Sequence, residues 1–247
     1  MSAGVSTGRV VGAHPVRLDR INNQLLAGLG PKARNSLLAL GETVPISLSQ
    51  VLGEAGGRVR HVYLPVEGFI SLVAVVQESP GIEVGMIGTE GMLGASLSLG
   101  VSTHPVRAVV QGSGTAWRIP AAAFAAELRR SARLRQVVSR YLYVLLCQQA
   151  SAAVCLRFHQ TAPRLARWLL MTQDRAHSDR FRLTHEFLAY MMGVRREGVT
   201  HAARALQGQD LIAYRRGEMH ILDRVGLEAA ACGCYGAERA IYADILG

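Results

Sequence analysis

The chain has 247 residues, enough for two domains with buried cores, and its 27 basic and 18 acidic residues give a formal net charge of +9. This balance suits a polyanionic partner, but charge alone identifies none. No uninterrupted apolar run reaches the roughly 18 residues of a membrane-spanning helix, and the first residues lack the apolar core of a signal peptide. We therefore expect a cytoplasmic protein with no membrane partner.

The N-terminal half is expected to be rich in β-structure. Residues 1–19 are predicted to be a flexible tail, and residues 20–130 are predicted to form one domain. Within that domain, short apolar or alternating runs bounded by Gly and Pro are predicted as strands: 59–65, 68–76, 82–87, 106–111 and 115–119. This pattern is typical of a closed β-roll or a jelly-roll.

The sequence offers little for catalysis or for metal binding. The glycine-rich segment 88–100 lacks the lysine of a phosphate-binding P-loop, and no Ser-His-Asp order is present. The four cysteines, at positions 147, 155, 232 and 234, include no second pair at metal-ligand spacing. We expect buried, reduced thiols, no metal, no evident cofactor and no enzymatic activity.

One long helix is predicted over 132–158. Apolar or small residues recur along it at alternating spacings of four and three, which is the seam of a coiled coil. The seam residues are Leu134, Val138, Tyr141, Leu145, Gln148, Ala152 and Cys155. We interpret residues 131–160 as the helix and hinge of a parallel homodimer. The alternative is that this stripe packs only on the chain's own β-domain.

Two short helices joined by a tight turn are predicted after residue 183. Thr184 caps the first helix and Gly193 supplies the left-handed turn. The second helix buries an apolar stripe and presents polar side chains on its outer face, as the recognition helix of a helix-turn-helix must. The outward residues, predicted to contact DNA, are Arg195, Arg196, Glu197, Thr200, His201 and Arg204.

A hairpin follows over residues 211–222 and turns at Gly217. In this position it is typical of a wing, with Arg215 and Arg216 near the tip as candidate phosphate contacts. Asp223 then caps a helix that is predicted to pack beneath the wing.

These motifs resemble the winged helix of the Crp/Fnr superfamily of bacterial transcription regulators. The resemblance rests on Gly193-Val-Arg-Arg-Glu-Gly-Val-Thr200 and on Leu211-Ile212, covers 181–235, and extends more weakly back to about residue 20. It implies an α+β fold with a cyclic-nucleotide-binding-like β-roll sensor domain (20–130), a dimerisation helix and hinge (131–160) and a winged helix-turn-helix domain (161–247). It also implies that Arg196 and Glu197 read bases, with His201 where the family often has Arg.

The resemblance places a candidate effector site in the roll. Aligning Gly91-Met92-Leu93-Gly94 on the family pattern puts Met92 where cyclic-nucleotide binders have a ribose-binding Glu, while Glu90 lies two residues earlier. Arg107 and Ala108 are the candidate phosphate clamp, and Gln149 of the long helix is a candidate cross-pocket contact. Loss of a charged acceptor costs about 1.5–3 kcal/mol, so we expect an effector other than cyclic AMP.

The sequence thus predicts a homodimeric regulator that binds an inverted repeat in double-stranded DNA and responds to a small effector. Two alternatives stay open: a regulator that needs no ligand and is controlled by its abundance or by a partner protein, and a regulator that responds to cyclic AMP. RNA polymerase is a further candidate partner.

Overall fold

The computed structural model describes residues 22–75 and 81–247. The predicted tail, 1–19, and Val76 at the end of one predicted strand lie outside the described residues. The N-terminal domain consists of short helices and antiparallel strands: α1 (Gln24–Ala27), α2 (Pro31–Leu38), β1 (Glu42–Ile46), β2 (Val51–Gly53), β3 (His61–Pro65), β4 (Phe69–Ala74), β5 (Ile82–Ile87), β6 (Arg107–Gly112), β7 (Gly114–Pro120) and α3 (Ala121–Arg130).

The strands form two sheets that share a core. One sheet has the order β1-β7-β3 and the other β2-β6-β4-β5, and every pairing is antiparallel. Ile46 and Ala116 of the first sheet pack with Val110 of the second. The predicted β-roll is therefore confirmed. Strands β1 and β2 were not predicted, because one contains a proline and the other has only three residues.

The long helix α4 (Ala132–Phe158) has the predicted bounds. Its first turn is capped by the Ser131 hydroxyl, which accepts a hydrogen bond from the backbone N–H of Leu134 at 3.2 Å. By length and mean hydropathy (1.2 over 18 residues) this helix could cross a membrane. Here it is a central helix of the fold, since Val138 and Tyr141 are fully buried in the N-terminal core.

The C-terminal domain follows a short break at His159 and Gln160. Its elements are α5 (Thr161–Ala176), β8 (Arg180–Arg182), α6 (His185–Met192), α7 (Arg196–Gln207), β9 (Ile212–Arg215), β10 (Glu218–Ile221), α8 (Arg224–Ala230) and α9 (Cys234–Leu246). The predicted helix-turn-helix and hairpin are α6-α7 and β9-β10. The Asp223 side chain caps α8 as predicted, by accepting from the N–H of Gly226.

The last helix, α9, returns to the long helix, and this packing was not predicted. The Gln148 side-chain amide donates to the Tyr242 hydroxyl at 3.0 Å, and Tyr242 and Leu246 pack on the N-terminal core. Because α9 packs on α4, part of the surface that the sequence assigned to a dimer partner is occupied by the same chain.

Candidate DNA-binding surface and effector region

The turn between α6 and α7 is fixed by its end residues. The Thr184 hydroxyl accepts a hydrogen bond from the N–H of Phe187 at 3.1 Å, so α6 begins there. Gly193 ends α6 with a φ of 62°, and a Cβ at this position would lie 2.5 Å from the side chain of Ile82 on β5. The left-handed backbone therefore favours glycine, and any larger residue would also displace the Ile82 side chain.

The second helix, α7, has one buried and one exposed face. Val199, Ala202, Ala203 and Leu206 are buried in the C-terminal core. The opposite face bears solvent-exposed polar side chains, which are Arg195, Arg196, Glu197, His201 and Arg204. Arg195 is the N-cap residue, so this exposed group begins where the helix begins. In helix-turn-helix proteins, it is the N-terminal end of the recognition helix that enters the major groove.

Thr200 differs from the other predicted contacts because its hydroxyl has partners within the chain. The hydroxyl donates to the carbonyl of Arg196 at 3.1 Å and lies 2.9 Å from Nδ1 of His185. Burial, with the nearby Arg196 and Arg204 charges, lowers the pKa of His185. A neutral His185 can thus donate to the Thr200 oxygen, which joins α6 to α7 and weakens the case for Thr200 as a phosphate contact.

The wing is a tight hairpin with two exposed arginines. Arg216 and Gly217 both have positive φ, 52° and 82°, as a two-residue hairpin turn with the twist of the strands requires. Arg215 and Arg216 are exposed at this tip. The Tyr214 ring stacks on His185 with centroids 4.3 Å apart, which fixes the wing against the start of α6.

A third strand of the wing sheet escaped prediction. β8 pairs with β10, so the sheet order is β8-β10-β9, and Arg182 lies opposite Glu218. Arg180 and Arg182 are both exposed on this strand. The run Arg180-Phe-Arg182 alternates as a strand does, but three residues are too few for the period to be read.

The C-terminal domain packs directly on the β-roll. Phe69, Val73 and Met86 of the roll belong to the same buried cluster as Leu165 and Leu169 of α5. A buried ion pair joins Arg175 of α5 to Glu90 at 2.7 Å, and the Trp168 indole donates to Glu83 at 2.9 Å. The two domains therefore share one apolar core with polar links across it.

Within the described residues, the predicted effector residues do not surround one pocket. Glu90 lines a cavity of about 350 Å3 together with Arg175 of α5 and Tyr242 of α9, away from the other candidates. Met92 and Leu93 are 2% and 5% exposed and pack in two apolar clusters, and Ala108 is fully buried. Gly94 has a φ of 96° and marks a turn before a short 3-10 helix. These four residues serve the core of the roll.

The three polar candidates bind other parts of the same chain. Glu90 pairs with Arg175, as described above, and Arg107 lies 3.4 Å from the carboxylate of Glu54. The Gln149 side chain donates to the carbonyl of Val84 at 2.9 Å. Glu90 and Gln149 therefore have structural partners, whereas the Arg107–Glu54 pair is solvent-exposed and contributes little to stability. Sequence patterns could not reveal these pairings, because each partner lies far along the chain.

A narrow cavity of about 50 Å3 lies beside β5, α4 and α5. Its lining includes Glu83, Gln148, Trp168 and Met191 but none of the predicted effector residues. Burial raises the pKa of Glu83 to about 7, against the opposing effect of hydrogen bonds from Ser71 and Trp168. A cavity of this size holds about one or two waters, far less than the roughly 300 Å3 of an ordinary ligand pocket.

The predicted dimer seam requires correction. Leu134, Val138, Tyr141, Gln148 and Cys155 are at most 3% exposed within the single chain, while Leu145 and Ala152 are partly buried. Leu134, Val138, Tyr141 and Leu145 pack on the N-terminal core, while Gln148 contacts α9 and Cys155 contacts Cys232. The alternative, packing on the β-domain alone, therefore accounts for part of the stripe. A surface covered in this way is not available to a second copy.

A different face of α4 is exposed and carries apolar residues. Tyr143 and Leu146 are 53% and 66% exposed. They belong to a stripe of exposed residues at the same alternating spacing of three and four, namely Gln136, Ser139, Tyr143, Leu146, Ala150, Ala153 and Arg157. This second stripe can also be read in the sequence. Because its period equals that of the buried stripe, the period alone cannot show which of the two is exposed.

Three cysteines that the sequence treated as separate buried thiols come together with a histidine. The ligand atoms of Cys155, His159, Cys232 and Cys234 lie within 4.8 Å of one another. Hydrogen bonding with Cys232 lowers the pKa of Cys155 to about 4, and the same contact raises that of Cys232. In the sequence, the spacings Cys155-x3-His159 and Cys232-x-Cys234 could have indicated this cluster. The four side chains could hold a metal ion, although none was expected from the sequence.

Comparison with known proteins agrees with this architecture. Residues 163–230 match the family described as the Crp-like helix-turn-helix domain. No curated protein sequence matches the chain. Among solved structures, a transcriptional regulator of the crp/fnr family from Eubacterium rectale has 18% identity and a TM-score of 0.66, over 85% of this chain and 98% of that one.

Two further solved structures have the same fold. FixK2 from Bradyrhizobium japonicum has 12% identity and a TM-score of 0.66, over 78% of this chain and 98% of that one. CLP from Xanthomonas campestris, described as a c-di-GMP responsive global regulator, has 16% identity and a TM-score of 0.64, over 78% of this chain and all of its own. The chain therefore carries a Crp-like helix-turn-helix domain at residues 163–230 within the fold of Crp/Fnr-family transcription regulators.

Proposed function

We propose that the chain is a sequence-specific DNA-binding transcription regulator that acts as a homodimer on an inverted repeat. The observation that carries this proposal is the exposed, charged N-terminal face of α7 beside a wing with two exposed arginines, within a Crp-like helix-turn-helix domain. Binding to chromosomal DNA would place the protein in the cytoplasm. An activator would also contact RNA polymerase.

The chemistry of the exposed side chains suits both parts of DNA recognition. A guanidinium such as that of Arg196 can donate to guanine O6 and N7 together, and a carboxylate such as that of Glu197 can accept from cytosine N4. Arg195, Arg204 and the two wing arginines are the proposed phosphate contacts, which fix position without reading sequence. His201 is the proposed third base-reading residue.

The proposed dimer uses the exposed stripe of α4 around Tyr143 and Leu146. Pairing two parallel copies along this stripe buries apolar side chains that one chain leaves in water. It would set two recognition helices about 34 Å apart, one turn of DNA. An inverted repeat is the operator that such a two-fold arrangement fits.

We further propose that cyclic AMP is not the effector. Met92, at the position aligned with the ribose-binding carboxylate, lies in the core, and Arg107 pairs with Glu54. A small effector of another kind could enter a cavity of about 350 Å3 that is lined by Glu90 of the roll, Arg175 of α5 and Tyr242 of α9. Such binding would move α5 relative to the roll and so change the aim of α7.

A second candidate is a regulator that needs no small molecule. The packing of the roll favours it, because Met92, Leu93 and Ala108 of the predicted effector site are buried in the core. Control would then come from the abundance of the protein or from a partner protein.

Recovery of genomic DNA fragments by the purified full-length protein tests the proposal. We expect specific fragments to be enriched without an effector or with a cell extract, and cyclic AMP to leave the enriched set unchanged. Arg196→Ala should lose this enrichment, whereas Arg130→Ala, which changes an exposed arginine on α3, should keep it. Enrichment that depends on cyclic AMP would overturn the effector proposal, and equal recovery by both variants would overturn the assigned reading surface.

A further inference from the structure

The cysteine-histidine cluster lies away from the DNA-binding surface, where the long helix ends and the last helix begins. Cys155 is in the last turn of α4 and His159 is its C-cap residue. Cys232 lies between α8 and α9, and Cys234 is the first residue of α9. The four ligand atoms are thus contributed by two segments about 77 residues apart, which meet across the interdomain break.

The spacing of the ligand atoms matches a single tetrahedral ion. The Cys155 and Cys232 sulfurs are 3.6 Å apart, and the Cys234 sulfur is 3.6 Å from Nδ1 of His159. Zinc bonds of about 2.3 Å to sulfur and 2.0–2.1 Å to nitrogen give tetrahedral edges of about 3.8 Å for S···S and about 3.6 Å for S···N. An iron–sulfur cluster distributes its thiolates over several iron atoms and needs a wider cage than 4.8 Å.

Ordinary packing does not account for this arrangement. Free buried cysteines behave as small apolar residues, yet these three form a cluster of their own with an imidazole. They are 2%, 7% and 8% exposed, in the order Cys155, Cys232 and Cys234. A disulfide does not explain the contact either, because its S–S bond would be about 2.05 Å long and all three thiols are free.

The surroundings suit a negatively charged metal–thiolate centre. The Arg167 guanidinium lies 3.6 Å from the Cys155 sulfur and forms an ion pair with Glu238, whose side chain is 6% exposed. Three thiolates around a divalent cation leave one net negative charge, and the Arg167 guanidinium, which Glu238 holds in place, can donate a hydrogen bond to the Cys155 thiolate. Such donors orient metal ligands and sustain their charge.

We propose that Cys155, His159, Cys232 and Cys234 bind one zinc ion in a closed tetrahedral site. Three cysteines and one histidine are a ligand set of structural zinc, with no open position for a substrate. The ion would join the end of α4 to the start of α9. It would therefore fix the DNA-binding domain relative to the long helix and stabilise the folded chain.

The direct test is the metal content of the full-length protein, purified without a metal-binding tag and dialysed after zinc loading. We expect about one tightly bound zinc per chain in the unaltered protein. The matched control is Cys147→Ser, which removes the cysteine on α4 outside the cluster and should keep the zinc. Cys155→Ser, Cys232→Ser and Cys234→Ser should each lose most of it.

Cobalt substitution into the unaltered protein keeps the test valid if those variants do not fold. We expect the intense visible bands of tetrahedral cobalt and a sulfur-to-cobalt charge-transfer band. If the Cys147→Ser variant gives the same bands, the thiolates that bind cobalt are those of the cluster and not that of Cys147. Three results would each overturn the zinc assignment. The protein could be free of zinc and give only the weak bands of octahedral cobalt, it could contain iron with acid-labile sulfide, or it could have a Cys155–Cys232 disulfide in place of metal.

Discussion

At the scale of single residues, the proposed recognition uses a few exposed groups whose neighbours hold them in place. Arg196 is exposed at the first turn of α7, and its carbonyl accepts from Thr200, which also contacts His185. The proposed base-reading end of the helix is thereby connected to α6 and, through the stack of His185 on Tyr214, to the wing. Rotation of α7 alone would break these contacts.

Arg196→Ala should lower affinity for the selected operator by about 1–3 kcal/mol, or roughly 5- to 150-fold. The reason is loss of a two-bond contact to guanine, so binding to unrelated DNA should weaken much less. Fluorescence anisotropy on operator and scrambled duplexes measures both. Arg130→Ala is the control, and an equal loss on the two duplexes would show that Arg196 contacts phosphate instead.

Glu83→Gln should change how stability depends on pH. The folded-state pKa of Glu83, about 7, lies above its ordinary value of 4.5, so the carboxyl favours folding when protonated. That stabilisation is complete below about pH 4.5 and is lost as the pH rises through 7. An amide cannot ionise, yet it can still accept from Trp168.

The variant should therefore gain stability relative to the original chain between about pH 4.5 and pH 8, by up to about 3 kcal/mol. Urea unfolding at several pH values measures this difference. The positive charges of Arg175 and Arg167 both lower the pKa of Glu83, and this limits how much stability the glutamine variant gains. A stability difference that does not vary with pH would show that Glu83 is already ionised in the folded protein.

At the scale of elements, the long helix has two faces with separate tasks. One face packs on the roll and on α9, and the other is a stripe of exposed residues through Tyr143 and Leu146. We propose that the second face pairs with another copy. The same heptad spacing occurs on both, and α9 decides which one is covered.

Leu146→Glu should weaken dimerisation by at least tenfold, about 1.4 kcal/mol, because it places a charge in an apolar seam. Its side chain is 66% exposed in one chain, so the fold itself should tolerate the change. Sedimentation velocity across a concentration series gives the monomer–dimer equilibrium. Arg130→Glu on α3 is the control, and an unchanged dimer in Leu146→Glu would reject this seam.

The wing is a second element with its own expected signature. Replacing both Arg215 and Arg216 with alanine should reduce the slope of log affinity against log salt by about 0.9 for each phosphate that the wing no longer neutralises. Sequence preference should stay the same, since binding to phosphates carries no base information. Salt titrations on operator and scrambled duplexes distinguish this outcome from a change in preference, which would mean that the wing reads bases.

At the scale of the whole molecule, local features of the sequence predicted local structure well. The helix-turn-helix followed from Thr184 and Gly193, because capping and a positive φ depend on neighbours in sequence. The α4 bounds followed from an unbroken apolar period. The seam failed because the Gln148–Tyr242 contact that helps to cover it joins residues 94 apart. The cysteine–histidine cluster was missed for the same reason, since its two segments are about 77 residues apart.

The predicted effector site shows a related limit. The family pattern located the residues around Met92 and Arg107, but whether they enclose a pocket depends on how densely the roll is packed. Phe69, Val73 and Met86 connect that packing to α5 of the DNA-binding domain. Because the roll and the DNA-binding domain share a core, any ligand that enlarges it would alter both.

Sequencing of random duplex DNA selected by the purified full-length protein tests the central claim most directly. A homodimer with two equivalent recognition helices should enrich a two-fold symmetric motif whose half-site centres lie about 10–10.5 base pairs apart. The motif should appear either with no addition or with a cell extract. Enrichment of a single asymmetric half-site under both conditions, or of no motif in either, would contradict the account.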